Sequence, residues 1–204
     1  MFVYPSGLDL SSSHLRFLTA RLRERRCAIG SRWRRLSVGR QALLTLAHLR
    51  VGHTYAQLAA GFGVGTTTAY RYVAEAVDLL AALAPTLVLW ASLALPGAVH
   101  DVRAAREHGI IDALAQADVR CWADKGYRGA GGTIRIPCWG RWNTLAAGQK
   151  AVNRSHAKIR ALVEQAMATL KSWRLLRKLR CSTTRITALV QAVLTLHLSS
   201  SDRG

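Results

Sequence analysis

The order of apolar and polar positions along the chain predicts helices first and mixed elements later. From His14 to Arg40, Leu15, Phe17, Leu18 and Leu22 recur at helical spacing among arginines, which predicts a basic amphipathic helix followed by a loop. Residues 41–49, QALLTLAHL, read as a second helix, ended by Gly52. Thr54, with Gln57 three residues later, has the spacing of a capping box ahead of a short helix, YAQLAAGF, over 55–62. Gly63, Val64 and Gly65 supply a tight turn, and TTTAYRYVAEAVDLLAAL opens a longer helix at Thr66. Leu58, Ala59, Val64, Ala69 and Val73 are the expected inward positions. Short helix, glycine-containing turn and longer helix form the helix-turn-helix plan.

After Leu87 the period changes. VLWASLAL (88–95) is strand-like, and Pro96 and Gly97 then turn the chain. VRAAREHGIIDALAQA (102–117) predicts a helix, and DVRCWAD (118–124) and TIRIP (133–137) predict two further strands. Residues 138–150 read as loop, 151–180 as a long basic helix and 183–198 as a final apolar helix. Strands alternating with helices predict an α/β layer structure, so the chain divides into a helical domain over 1–85 and an α/β domain over 86–204.

Charge adds a partner to this picture. Of 204 residues, 29 are Lys or Arg and only 11 are Asp or Glu, a formal net charge of +18. Nine arginines and one acid, Glu24, fall between His14 and Arg40. A surface this positive suits a polyanion, and a phosphate backbone is the usual one. In the helix-turn-helix plan the second helix enters the major groove by its N-terminal residues, which makes Thr66, Thr67, Thr68, Tyr70 and Arg71 the groove-facing candidates. Thr can contact either base type, and Arg71 can reach guanine or phosphate. The alternative is a three-helix bundle that touches no DNA, with the charge a by-product of an Arg- and Ala-rich composition.

The four cysteines, Cys27, Cys121, Cys138 and Cys181, form no CxxC pair and lie near no paired His, which argues against a zinc site or a disulfide framework and for a reducing compartment. The first residues, MFVYPSGLDLSSS, lack the basic and apolar regions of a signal peptide, and a cytoplasmic, nucleoid-associated protein is expected. Residues 79–99 carry no charge and have the length of a membrane span, but Pro85 and Pro96 interrupt them, and they divide into a helix end and a strand-like run.

Candidate chemistry rests on few acids. Asp124 ends a predicted strand at its carboxyl end, where open α/β sheets place their sites. The alternative is an ordinary Asp-containing turn before Gly126. Glu164 is the only acid among residues 125–180, which carry thirteen Lys and Arg. It flanks an apolar stripe formed by Ile159, Val163, Met167 or Ala166, Leu170 and Trp173 on the long helix. Arg160, four residues earlier, offers the alternative of a helix ion pair.

Five blocks carry a resemblance in their order along the chain: GRQALLTLAHLR (39–50), TYAQLAAGFGVGTTTAYRYV (54–73), LPGAVHD (95–101), ADKGYRGAG (123–131), and RALVE with LKSWRLLRKLRC within 160–181. With these, the sequence resembles bacterial insertion-sequence transposases of the Asp-Asp-Glu type, on the branch related to Harbinger elements. The resemblance implies an N-terminal helix-turn-helix followed by a ribonuclease-H-like catalytic domain. It implies three acids that hold two divalent ions, usually Mg2+, for DNA cleavage and strand transfer; hard ions take oxygen ligands. By motif, Asp124 corresponds to the second Asp and Glu164 to the Glu. Lys125, Arg160 and Lys171 would then lie near DNA phosphates.

One part of the pattern is missing. The family's first Asp lies on the first strand of its sheet, between the helix-turn-helix and LPGAVHD. Here LLAALAPTL passes straight into VLWASLALPGAVHD, and the block resembling VLWASLAL is the family's third strand. The first two strands are therefore expected to be absent, leaving an incomplete ribonuclease-H-like domain. Asp78 belongs to the helix after the turn and does not replace the lost acid. Asp101 is the nearest substitute, as a poor third metal ligand. The resemblance thus implies a protein that binds double-stranded DNA at transposon ends, with cleavage lost or impaired. A non-catalytic DNA-binding module is the alternative, acting as a homo-oligomer or as an inhibitor of a full-length transposase. A membrane-associated basic protein using 79–99 is the competing class.

Overall fold

A computed structural model of the chain describes residues 11–31, 34–84 and 91–201. It divides into two compact units, Met1–Ala91 with Leu170–Gly204, and Ser92–Thr169. The sequence boundary at 85/86 separates motif blocks; packing instead places residues 170–201 in the first unit.

The first unit is helical. Helix α1 (Ser12–Ala28) starts at Ser11, whose side chain accepts from the Ser13 amide. Helix α2 (Val38–Val51) is capped by the Ser37 hydroxyl at one end and by Gly52 in the left-handed conformation (φ +80°) at the other. Helix α3 (Tyr55–Phe62) has the expected capping box: the Gln57 amide donates to Thr54 Oγ1 at 3.3 Å and the Thr54 amide donates to Gln57 Oε1 at 2.9 Å. Gly63 (φ +66°) ends it, and α4 (Thr66–Leu83) follows. Leu58, Ala59, Val64, Ala69 and Val73 are all buried, as their spacing predicted.

Helix α8 (Thr183–Ser201) completes this core with Leu189, Ala192, Val193 and Leu196, packed on α4 and α1. The Thr195 hydroxyl donates to the Leu80 carbonyl at 3.0 Å, so this buried hydroxyl is satisfied. Trp173 is buried in the same cluster. A polar network crosses the unit as well. Gln41, fully buried, donates to Tyr72 O (3.2 Å) and Glu75 Oε2 (3.0 Å) and accepts from Arg26 Nη2 (2.7 Å). Arg34 grips Glu75 with two bonds of 3.1 Å. Each partner of the buried amide is thereby paired, which fixes how α1, α2 and α4 meet.

The second unit departs from the predicted α/β layers. Strand β1 is only Cys121–Trp122 and β2 only Ile134–Arg135, paired in parallel with Cys121 opposite Ile134 and Trp122 opposite Arg135. The predicted strands 118–124 and 133–137 shrink to these because β1 and β2 pair only with each other among the described residues. Of the strand expected at 88–95, residues 88–90 lie outside the described residues and 91–95 are irregular. The helix expected over 102–117 is two, α5 (Asp101–Glu107) and α6 (Ile110–Gln116), because Gly109 adopts φ +65° between them.

Helix α7 (Ala147–Lys171) starts earlier and stops sooner than the predicted 151–180. Arg177 Nε donates to the Lys171 carbonyl at 2.7 Å, and the chain turns so that Trp173 enters the core; a short 3-10 turn spans Arg174–Arg177. Of the apolar stripe on this helix, Leu170 packs on the first unit's core, whereas Ile159, Val163 and Met167 are exposed. The two short strands of this unit leave Ile159, Val163 and Met167 uncovered. No described helix is long and apolar enough to cross a membrane.

Candidate nucleic-acid interface and acidic site

Four of the five recognition candidates stand on the exposed side of α4: Thr66, Thr67, Tyr70 and Arg71 are exposed, and Thr68 is half-buried. The helix can present them because its opposite side, Ala69, Tyr72, Val73, Ala76, Val77 and Leu80, is buried. Tyr70 meets Tyr55 edge to face at 5.3 Å, and Tyr55 stacks on His48 at 4.8 Å. An aromatic file thus runs from α2 through the first residue of α3 to the recognition helix. Burial holds the His48 imidazole below its ordinary value, only partly offset by its bond to the His53 carbonyl (2.7 Å).

Sequence reasoning missed a neighbour of this face. A cleft of about 600 Å3 is lined by Tyr55 and Tyr70 on one side and by Lys178, Arg180 and Arg185 on the other. Arg185 Nη1 donates to Asp78 Oδ1 on α4 at 2.9 Å. Burial raises the Tyr55 phenol above its ordinary value, while the positive charge of neighbouring Arg185 pulls the other way. Asp78 is therefore used as an anchor for α8. The only sequence signal for this basic edge was the run RLLRKLR at 174–180, about ninety residues after the end of the helix it adjoins.

Within the second unit, Asp124 caps a 3-10 turn, Lys125–Tyr127, its Oδ1 accepting from the Gly126 amide at 2.8 Å. A Cβ at residue 126 would sit 2.9 Å from that same oxygen, which is why glycine follows. The Tyr127 phenol is pushed up by burial first, then by the charges of Asp101 and Asp124. The fold thus brings Asp101, the first residue of α5, and Asp124 around one phenol. Glu164 is elsewhere occupied: it is exposed on α7 and takes Arg160 Nη2 at 3.1 Å, the helix pair that its spacing allowed. Lys125 is exposed, its ammonium 5.7 Å from the Trp139 ring centre, and Lys171 is exposed at the end of α7.

Family membership follows from the chain's own match. A DNA-binding helix-turn-helix defines the class of the first unit, and residues 34–86 match the helix-turn-helix of DDE superfamily endonuclease. Residues 73–197 match DDE superfamily endonuclease, and the chain belongs to that family. It is a transposase-family DNA-binding protein of the DDE type. No curated protein and no solved structure matches the chain.

DDE superfamily endonucleases use divalent metal ions. The residues present do not form such a site: among the described residues no three of His, Cys, Asp and Glu come together to hold an ion. Asp124 is engaged by a backbone amide and Glu164 by a guanidinium.

Proposed function

We propose that this protein binds the double-stranded ends of a mobile element and that its cleavage activity is lost or impaired. The observation that carries the reading is the contrast in completeness between the two functional parts. The helix-turn-helix has a closed core, a formed capping box and an exposed recognition face. The acids that the family uses for chemistry are represented by Asp124 and Glu164, with Asp101 as a poor third ligand. The absence of the family's first strands, and with them its first Asp, accounts for the short sheet. On this reading residues 1–85 are the DNA-binding domain and 86–204 a partial ribonuclease-H-like domain of bacterial insertion-sequence, Harbinger-related descent. The protein would act in the cytoplasm, associated with the nucleoid. Lys125, Arg160 and Lys171 would contact phosphates.

The test uses DNA carrying the element's terminal repeats. Binding is expected to be salt-sensitive, because each phosphate contact releases counterions. Thr67→Ala or Arg71→Ala should cost about 1–3 kcal/mol of discrimination between cognate and scrambled sequence. Efficient nicking at the repeat ends with Mg2+ or Mn2+ would overturn the loss of cleavage, and unchanged preference in both variants would overturn base reading by α4. A second reading, inhibition of a full-length transposase by assembly with it, is favoured by the exposed stripe Ile159, Val163 and Met167. An apolar stripe of this length normally finds a partner.

A further inference from the structure

We propose that Trp139 and Trp142 form a stacking platform for unpaired nucleobases of DNA, separate from the recognition helix; this rests on the DNA-binding reading above. Both indoles are more than half exposed, 57% and 52%. Tryptophan carries a large apolar surface, and this unit leaves both indoles out while burying few apolar residues, Ala105, Ile111, Pro137 and Leu145 among those described.

The rings are not on a loose loop. The Cys138 amide donates to Asn153 Oδ1 at 2.7 Å and Asn153 Nδ2 donates to the Cys138 carbonyl at 3.1 Å, which pins the loop to α7 immediately before Trp139. Between the two indoles, Gly140 takes φ +135° and has Leu145 packed where a Cβ would sit, 2.9 Å away. After them, Thr144 Oγ1 donates to the Arg141 carbonyl at 2.9 Å. Rings held this way lose little conformational freedom when a planar partner arrives.

Cations accompany each ring. Arg128 lies 5.1 Å and Lys125 5.7 Å from the centre of Trp139, and Arg154 lies 5.5 Å from the centre of Trp142. A single strand alternates planar bases with phosphates, so an indole with a cation over its ring matches both in turn, a base on the face opposite a cation and a phosphate on the cation itself. Bases inside a duplex hide their faces in the stack, and a rigid indole reaches them only where strands are open.

The test compares the full chain and its variants on two probes, labelled oligo-dT of about 20 nucleotides and a blunt hairpin duplex closed by an abasic linker, so that it carries no unpaired base. Trp139→Ala and Trp142→Ala are each expected to weaken oligo-dT binding about tenfold and hairpin binding less than about twofold. Trp139→Phe should recover most of the loss, which a misfolded loop would not. Arg71→Ala should do the reverse, weakening hairpin binding and sparing oligo-dT. The proposal fails if both tryptophan-to-alanine variants bind oligo-dT within about twofold of the parent, or if Trp139→Phe is as poor as Trp139→Ala. It also fails if the variants lose binding to phosphatidylserine vesicles but not to oligo-dT. Hairpin binding without oligo-dT binding removes the platform alone; no binding to either probe removes the DNA reading with it.

Discussion

The two compact units differ most in what they bury. In the first, one cluster runs from Leu18 on α1 to Leu196 on α8, and every buried member of it lies in that unit. In the second, Trp139, Trp142, Val152, Ile159, Val163 and Met167 are exposed around a parallel pair of two-residue strands. Both units carry the family's sequence. Motif retention and core retention are therefore separate properties: the turn around Asp124 keeps its local hydrogen bonds, while the sheet that would surround it is minimal.

Core truncation is the strongest way to sharpen this contrast. Leu196→Ala, at a fully buried position, should cost about 2–5 kcal/mol of stability in chemical denaturation, whereas Val163→Ala should change it by less than about 0.5 kcal/mol. Comparable losses from both would show that the exposed stripe is covered in solution, and so would break the comparison. Next in size, Thr54→Ala removes one half of the capping box and should cost about 1 kcal/mol without altering the fold, read by circular dichroism and thermal melting.

Acidification gives a smaller, directional effect on the first unit. The His48 imidazole sits below its ordinary 6.5 in the folded chain, first through burial, so the unfolded chain binds its proton more readily. Its contribution is full above about pH 6.5 and is lost as pH falls through the folded value. The melting temperature should therefore drop between pH 7 and 5, and His48→Gln should make that slope shallower; an unchanged slope would place the titration elsewhere. His14, lowered first by burial too, adds to the slope with the same sign. The smallest effect belongs to the second unit. Glu164→Gln breaks an exposed helix pair and should change stability by less than about 0.5 kcal/mol. A larger change, or lost nicking by this variant, would give Glu164 a role beyond the pair.

The parts legible in the sequence are those fixed by neighbours in the chain. Thr54 and Gln57 cap α3, Gly52 and Gly63 end helices in left-handed conformations, and the inward face of α4 follows from helical spacing. What escaped depends on distant residues. Nothing near Trp173 says that it enters a core made by α1 and α2, or that Arg177 turns back to stop α7 at Lys171. The strand lengths at 118–124 and 133–137 were overread because β propensity is realised only beside a paired neighbour. At the candidate site, Asp124 was legible from its turn, and the pairing of Glu164 with Arg160 from its spacing. The meeting of Asp101 with Asp124 around Tyr127, and of Arg185 with Asp78 and Tyr55, required the fold.

The packing of α8 on α4 has a consequence for synthesis. The helix-turn-helix leaves the ribosome before α8: Leu189, Val193 and Leu196, which close its core, are translated about a hundred residues later. At about 5–20 residues per second the nascent helices wait on the order of 5–20 s with Val73, Val77 and Leu80 lacking that cover. During that interval the uncovered apolar faces of these helices are open to aggregation or to chaperone capture.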